Sequence, residues 1–412
     1  MKILHIYDGH ERVYPGQGSV PTVVYELAKH VAERGHEVVV IERKWNGLCS
    51  EDVLDGVKFK RLDLKIGSNV PYTEVPYVQI KSLHGTTRLV VSRCEFAYKA
   101  MKLLKDEHFD VIHAHLPFAA SILVTLRPKL GDRMVYTAHV GEEGKRFGLS
   151  ASAPLLLKLF SPDVYLMKRV KRVVVLNESL KEKLLTYKGI EAEKIEVIPN
   201  GIDVKKFGRF TNDEVEKVKK KYEVDGKLIV MYSGTITPRK GIKTLVRGAE
   251  IVVKQGYRDV VFLACGNYNI DRGFYEEIMS YIISKGLKEH VKFTGFIPYK
   301  DLLILYSACD IFVLPSFEEG FSCSLAEALA SGKPLVGSDV GGTRSMIRGG
   351  WNGFLIKPGS EEELAKRLIY LITNPKERDR MGRNSRKLAE EAFDWSKIAE
   401  KYIEVYEEVV KE

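Results

Sequence analysis

Two glutamates eight residues apart, Glu319 and Glu327, lie in the run Pro315-Ser316-Phe317-Glu318-Glu319-Gly320-Phe321-Ser322-Cys323-Ser324-Leu325-Ala326-Glu327-Ala328-Leu329-Ala330. A second run, Ser233-Gly234-Thr235-Ile236-Thr237-Pro238-Arg239-Lys240-Gly241, ends on two cations. Carboxylates accept hydroxyl hydrogens or exchange protons. Two cations just before a helix start can neutralise a diphosphate together with the unpaired helix N–H groups. These residue types suit an anionic group flanked by hydroxyls, and the glutamate spacing alone leaves open whether the pair works as acid and base. His115 and His139 each close an apolar run, Asp110-Val111-Ile112-His113-Ala114-His115 and Met134-Val135-Tyr136-Thr137-Ala138-His139. Lone histidines are more often structural; His139 is the one read as reaching a reaction centre, ahead of His115 and His113.

The surrounding pattern says what must hold these groups. Asp310-Ile311-Phe312-Val313-Leu314 is a short β-branched run of the kind buried in parallel sheets. Leu325, Ala328 and Leu329 then recur at helical spacing. The intervening small-residue loop aims backbone N–H groups above the strand end. Glu327 falls two helical turns in, so it is expected on the helix flank and not as a cap. Lys227–Tyr232, Val260–Cys265, Val291–Thr294 and Pro334–Gly337 read as further strands. The first half repeats the scheme: a strand at Lys2–Tyr7, a Pro15-Gly16-Gln17-Gly18-Ser19 loop, a helix through Val23, Val24, Leu27, Ala28 and Val31, and a strand at Glu37–Ile41. Pro21 occupies the place of a third glycine, so the loop is not a dinucleotide fingerprint. Strands alternating with helices predict an α/β fold of parallel sheets with helices on both faces. Ligands on such sheets sit beyond the carboxyl ends of the strands.

The chain of 412 residues is too long for one core. A Pro-Asn-Gly turn at Pro199-Asn200-Gly201 places a linker near 195–205, between domains of 1–195 and 205–390. Apolar and charged contents of 45% and 29% are those of a soluble globular protein. No signal peptide or apolar span of membrane length is read, which predicts a cytoplasmic protein. The net charge of +9 is dispersed. It reads as a solvated surface with a phosphate site, the alternative being a peripheral contact with the inner face of the membrane. Nucleic acid is excluded as a partner, because no recognition motif accompanies the charge. Cys49, Cys94, Cys265, Cys309 and Cys323 lack metal spacing and are read as small buried residues, with no metal site expected. Scarce glutamine beside abundant lysine and glutamate resembles a thermophile surface. Gly47–Thr87 is read as an extra hairpin or loop, and Leu155–Phe160 as core.

Taken in order, Gly35-His36-Glu37-Val38, Asn200-Gly201-Ile202-Asp203, Lys240-Gly241, Pro315-Ser316 and the Glu319/Glu327 pair resemble the retaining, GT-B-fold glycosyltransferases of the family-4 type, over nearly the whole chain. The resemblance implies two Rossmann-like domains with a nucleotide-sugar cleft between them, and a last helix, about 393–412, that returns to the first domain. It implies that Glu327 holds the donor ribose and that Glu319 contacts the sugar ring. It further implies that Gly320, Phe321 and Ser322 meet sugar and diphosphate, that Lys240 binds the diphosphate, and that His139 approaches the reacting sugar. Phe296 and Ile297 match the base-contacting strand end, and Gly18-Ser19 stands where the family has two glycines. Two more departures are Thr235 in place of a diphosphate-binding arginine, which Arg239 would supply, and Ser345 in place of an acidic residue.

The expected activity is transfer of a hexose from a UDP- or GDP-sugar, with retention, to a lipid-linked or soluble acceptor. No cofactor beyond the donor co-substrate is expected. Lys240, Arg239 and the helix N-termini supply the countercharge to the leaving diphosphate, so no divalent metal is required. The rivals are a nucleotide-sugar epimerase or phosphorylase on the same fold, and a non-catalytic sugar-nucleotide-binding protein.

Overall fold

The computed structural model describes residues 1–65, 83–139, 161–187 and 189–411. Leu155–Phe160 and part of the irregular Gly47–Thr87 stretch lie outside these residues. The chain forms two units, Met1–Gly201 with Trp395–Glu412, and Ile202–Asp394. Among the described residues, no helix is long and apolar enough to cross a membrane.

The first unit is built on eight strands: β1 (Lys2–Ile6), β2 (Glu37–Arg43), β3 (Glu51–Leu54), β4 (Val57–Leu62), β5 (Val111–Ala114), β6 (Met134–Ala138), β7 (Arg172–Val175) and β8 (Ile195–Val197). Their order is β3-β4-β2-β1-β5-β6-β7-β8. Every neighbouring pair is parallel except β3 and β4. Those two form a hairpin because Asp55 and Gly56 both take left-handed backbone, φ 49° and 78°, as a two-residue hairpin turn demands. Successive residues of a strand face opposite sides. Ile3, Val38 and Val40 therefore join one apolar layer, and Leu4, Val39 and Ile41 the other. The first layer is closed by the helix Ser19–Ala32 and by the helix Trp395–Lys411, whose Trp395, Ile398, Ala399, Tyr402, Val405, Tyr406 and Val409 recur at helical spacing.

The second unit is an all-parallel sheet of β9 (Leu228–Ser233), β10 (Val260–Cys265), β11 (Val291–Gly295), β12 (Ile311–Leu314), β13 (Leu335–Ser338) and β14 (Gly353–Ile356). Its order is β11-β10-β9-β12-β13-β14. The winding direction reverses between β9 and β12, which is where a doubly wound sheet leaves a crevice at its carboxyl edge. In the first unit the equivalent reversal lies between β1 and β5. The charged run after the linker forms the helix Asn212–Lys221, started by a reciprocal cap between Thr211 and Glu214.

The cysteine reading needs correction. Only Cys265 and Cys309 are buried; Cys49, Cys94 and Cys323 are exposed. Cys94 lies in the helix Leu83–Asp106, whose buried side includes Ser92, Arg93, Phe96, Ala97 and Ala100.

Candidate active site

In the second unit the loops after β9 and β12 are bonded to each other. The Phe317 N–H donates to the Arg239 carbonyl at 2.9 Å. Gly241 has φ 70°, and a Cβ there would lie 1.8 Å from the Pro315 carbonyl oxygen. Only glycine permits so close an approach. The consequence is that Lys240 Nζ meets Glu319 Oε1 at 2.6 Å, with side-chain exposures of 16% and 5%. Arg239 is exposed, and its Nη1 donates to the Glu318 carbonyl at 3.1 Å. The Glu319 carbonyl accepts the Gly342 N–H at 2.8 Å, which ties the same loop to the start of the Gly341–Arg344 turn.

Ser322 is the N-cap of the helix Cys323–Ala330, accepting the Leu325 N–H at 3.3 Å. Glu327 follows on the second turn, on the flank. Burial raises its carboxyl from 4.5 to about 7, and Tyr306 beside it lowers it only in part. Tyr306 comes from the helix Tyr299–Ala308 and is wholly buried. Its hydroxyl is turned toward Glu327 and Ser233 without a hydrogen bond of ordinary geometry. Sequence reasoning missed Tyr306. The available signal was one phenol on the apolar side of a helix otherwise made of Ile304, Leu305 and their like. Phe296, at the end of β11, is 88% exposed, whereas Ile297 is buried.

In the first unit, strand register gathers histidines that lie far apart in sequence. His5 pairs with His113 across β1 and β5, and His113 with Val135 across β5 and β6. Alternation then puts His5, His113, His115, Thr137 and His139 on one face, under the helix Trp395–Lys411. His5 Nδ1 lies 2.8 Å from His115 Nε2, and His115 Nδ1 lies 3.0 Å from His139 Nε2. His113 is held by the Tyr406 hydroxyl at 2.7 Å and by Thr137 Oγ1 at 2.8 Å, and Thr137 in turn meets the Tyr402 hydroxyl at 3.2 Å. Burial lowers His5 and His139 to about 3 and drives His113 and His115 well below 6.5. All four are neutral near pH 7. The His5–His115–His139 row has an unpartnered nitrogen at each end, His5 Nε2 and His139 Nδ1. His5, His113 and His115 offer nitrogens within 4.8 Å of one another, a spacing open to a metal. Yet His5 and His115 bond each other, and both His113 nitrogens are already engaged. The residues fit a hydrogen-bonded row better than a coordination shell.

Gly18 and Ser19 open the helix Ser19–Ala32. The Glu11 carboxylate lies against Gly18, where a Cβ would come within 2.5 Å of it.

Two family models match, Glycosyltransferase Family 4 over residues 20–206 and Glycosyl transferases group 1 over 214–388. The chain belongs to the group 1 and family 4 glycosyltransferases. It is similar to an uncharacterized glycosyltransferase of Methanocaldococcus jannaschii, 26% identical over 388 residues and covering 92% of each chain. Among solved structures it shares the fold of sucrose-phosphate synthase from Thermosynechococcus elongatus, with TM-score 0.78, 21% identity and 99% of each chain covered. It also shares the fold of Anabaena HepE, solved with UDP, with TM-score 0.72, 21% identity, and 99% and 100% of the two chains covered. The architecture of this glycosyltransferase is GT-B, two α/β units with parallel sheets. At the Thr235 departure, the Thr235 carbonyl accepts the Tyr232 hydroxyl at 2.9 Å. Ser345, at the other departure, donates its hydroxyl to the Gly342 carbonyl at 3.0 Å.

Proposed function

We propose that this glycosyltransferase moves a hexose from a UDP- or GDP-sugar to a lipid-linked or soluble sugar acceptor, with retention and without a divalent metal. The observation that carries the reading is the Lys240–Glu319 pair at 2.6 Å, set at the reversal point between β9 and β12. As the glycosidic bond breaks, negative charge gathers on the departing diphosphate. Lys240 and Arg239 offset it, and Lys240 can turn from Glu319 to phosphate with little movement. Glu319, released from that ion pair, accepts hydroxyls of the sugar ring. Glu327 accepts the ribose hydroxyls, and Gly320, Phe321 and Ser322 border the sugar and diphosphate. Phe296 and Ile297 border the base, and His139, Gly18 and Ser19 serve the reacting sugar. A phosphate leaving group needs no protonation, so Glu319 positions the donor and is not a nucleophile. The acceptor attacks on the face the leaving group vacates, and the departing phosphate takes its proton. The UDP bound to HepE supports a uridine diphosphate leaving group. A cytoplasmic protein with nucleotide sugar at hand suits this chemistry.

The test is nucleotide release over a UDP- and GDP-hexose panel, with and without EDTA and membrane lipid extract, followed by NMR of the product anomer. Release that persists in EDTA and yields the donor's anomer supports the reading. An inverted anomer, strict loss in EDTA, or a sugar adduct trapped on Glu319 overturns the corresponding part. Turnover of donor without acceptor would favour an epimerase.

A further inference from the structure

The loop after β1 and the last residue of β2 enclose a second charged cluster, within the first unit and on different residues from the histidine row. Asp8 is fully buried. Its Oδ2 accepts the Ala119 N–H at 3.0 Å and stands 3.4 Å from Arg93 Nε, while its Oδ1 has no partner. Arg93, on the helix Leu83–Asp106, is 4% exposed and also donates to the Asp8 carbonyl. Arg43 is 6% exposed and, among the described residues, makes one hydrogen bond, Nη2 to Ser92 Oγ at 2.6 Å. Among the described residues, Arg43 Nε is buried without an acceptor, and Arg93 Nε has only the 3.4 Å ion pair with Asp8, without hydrogen-bond geometry.

The charges do not balance. Among the described residues, the two buried guanidiniums share one buried carboxylate, Asp8. Glu42, next to Arg43, is occupied by Arg61 Nε at 3.0 Å and the Val13 N–H at 2.7 Å. Glu95 takes the Lys65 N–H and pairs with Lys99 at 3.2 Å. Glu11 accepts the Tyr7 hydroxyl at 3.2 Å. The surplus is felt by His10, whose imidazole burial and then the Arg93 and Arg43 charges hold down to about 4. Burial, and next the Arg93 charge, also lower Arg43 to about 9. An uncompensated buried cation with unmet donors is costly, and an oxyanion would satisfy charge and donors together.

We propose that Arg43 and Arg93 form an oxyanion subsite for a phosphate group, with Asp8 Oδ1 taking a hydroxyl beside that phosphate. The guanidinium fork suits phosphate geometry. Resting on the transferase reading above, this makes the acceptor a phosphorylated sugar or polyol. The phosphate can belong to a free sugar phosphate or to a lipid headgroup.

The experiment is calorimetric titration of the full chain with inorganic phosphate, a hexose 6-phosphate, and vesicles containing a phosphoinositide, in wild type, R43Q and S92A. Arg93 braces Asp8, so R93Q can fail to fold. Arg43 bonds to Ser92, and S92A removes that bond while keeping both cations. Wild type and S92A should bind phosphate or hexose phosphate alike, with R43Q weakened about tenfold or more at unchanged melting temperature. Free hexose phosphate binding marks a soluble acceptor, and binding confined to vesicles marks a lipid one. Phosphate affinity unchanged in R43Q, or no binding of any probe, overturns the subsite. Failure of nucleotide release with Arg43-dependent phosphate binding intact would instead reject the transferase reading and leave the subsite standing.

Discussion

Where the second sheet reverses, between β9 and β12, the loops carry Arg239, Lys240 and Glu319, and the helix that follows carries Glu327. Where the first sheet reverses, between β1 and β5, the same edge carries His5, His113, His115 and, one strand on, His139. Equivalent places in two parallel sheets hold opposite chemistry. The second unit presents an ion pair, which a charged ligand can enter by exchanging partners. The first presents neutral imidazoles, too deeply buried to charge, which offer hydrogen bonds without a field. A developing cation at an anomeric carbon would be opposed by an imidazolium and tolerated by a neutral ring. The difference teaches a division of labour between the units: the second offers the Lys240–Glu319 ion pair, and burial keeps the histidine row of the first uncharged.

The comparison breaks most visibly at Lys240. Lys240→Ala should lower kcat/KM by about 100- to 1,000-fold, because it removes countercharge from the departing diphosphate. A loss below threefold in steady-state kinetics would show that the ion pair is only structural. Next comes Glu327→Ala, with nucleoside-diphosphate affinity expected to fall about 10- to 100-fold by calorimetry; unchanged affinity removes its ribose role.

The pH dependence of Glu327 sharpens the contrast. Its folded value of about 7 lies above the ordinary 4.5. The folded chain therefore holds the proton more tightly, and the associated stability is complete below pH 4.5 and lost as pH rises through 7. Nucleotide affinity should move the other way, rising through pH 7 as the carboxylate forms. E327Q should abolish that rise.

A smaller effect is expected at His115, which touches both His5 and His139. His115→Phe should lower kcat about tenfold with nucleotide affinity unchanged, and the wild-type rate should show no imidazole titration between pH 5 and 8. A kcat inflection near pH 6.5 that vanishes in this variant would contradict the neutral row. The smallest is Gly201→Ala, where a Cβ would lie 2.3 Å from the Trp395 ring. It should cost about 1–3 kcal/mol of stability in the first unit, read by urea unfolding, with nucleotide affinity unaltered.

The strands were legible because residues buried on both faces of a parallel sheet must read as apolar β-branched runs, as at Val38–Ile41 and Ile311–Leu314. β14 escaped notice because Gly353-Phe354-Leu355-Ile356 is short and begins on glycine. Counting helical turns correctly kept Glu327 from being read as a cap, and Ser322 fills that place. Tyr306, His5 and the Arg43–Arg93 cluster were not legible. Each depends on which strands become neighbours and in what register, as His5 with His113, and no local spacing contains that information.

One more property follows from the helix Trp395–Lys411, which gives Tyr402 and Tyr406 to Thr137 and His113. The second unit is one continuous stretch, Ile202–Asp394, whereas the first is interrupted by all of it. A chain leaving the ribosome can close the second unit while the first still lacks a layer. Domains usually fold in order of synthesis; here the unit begun first is finished last, and its histidines are sealed from water only when the final helix arrives.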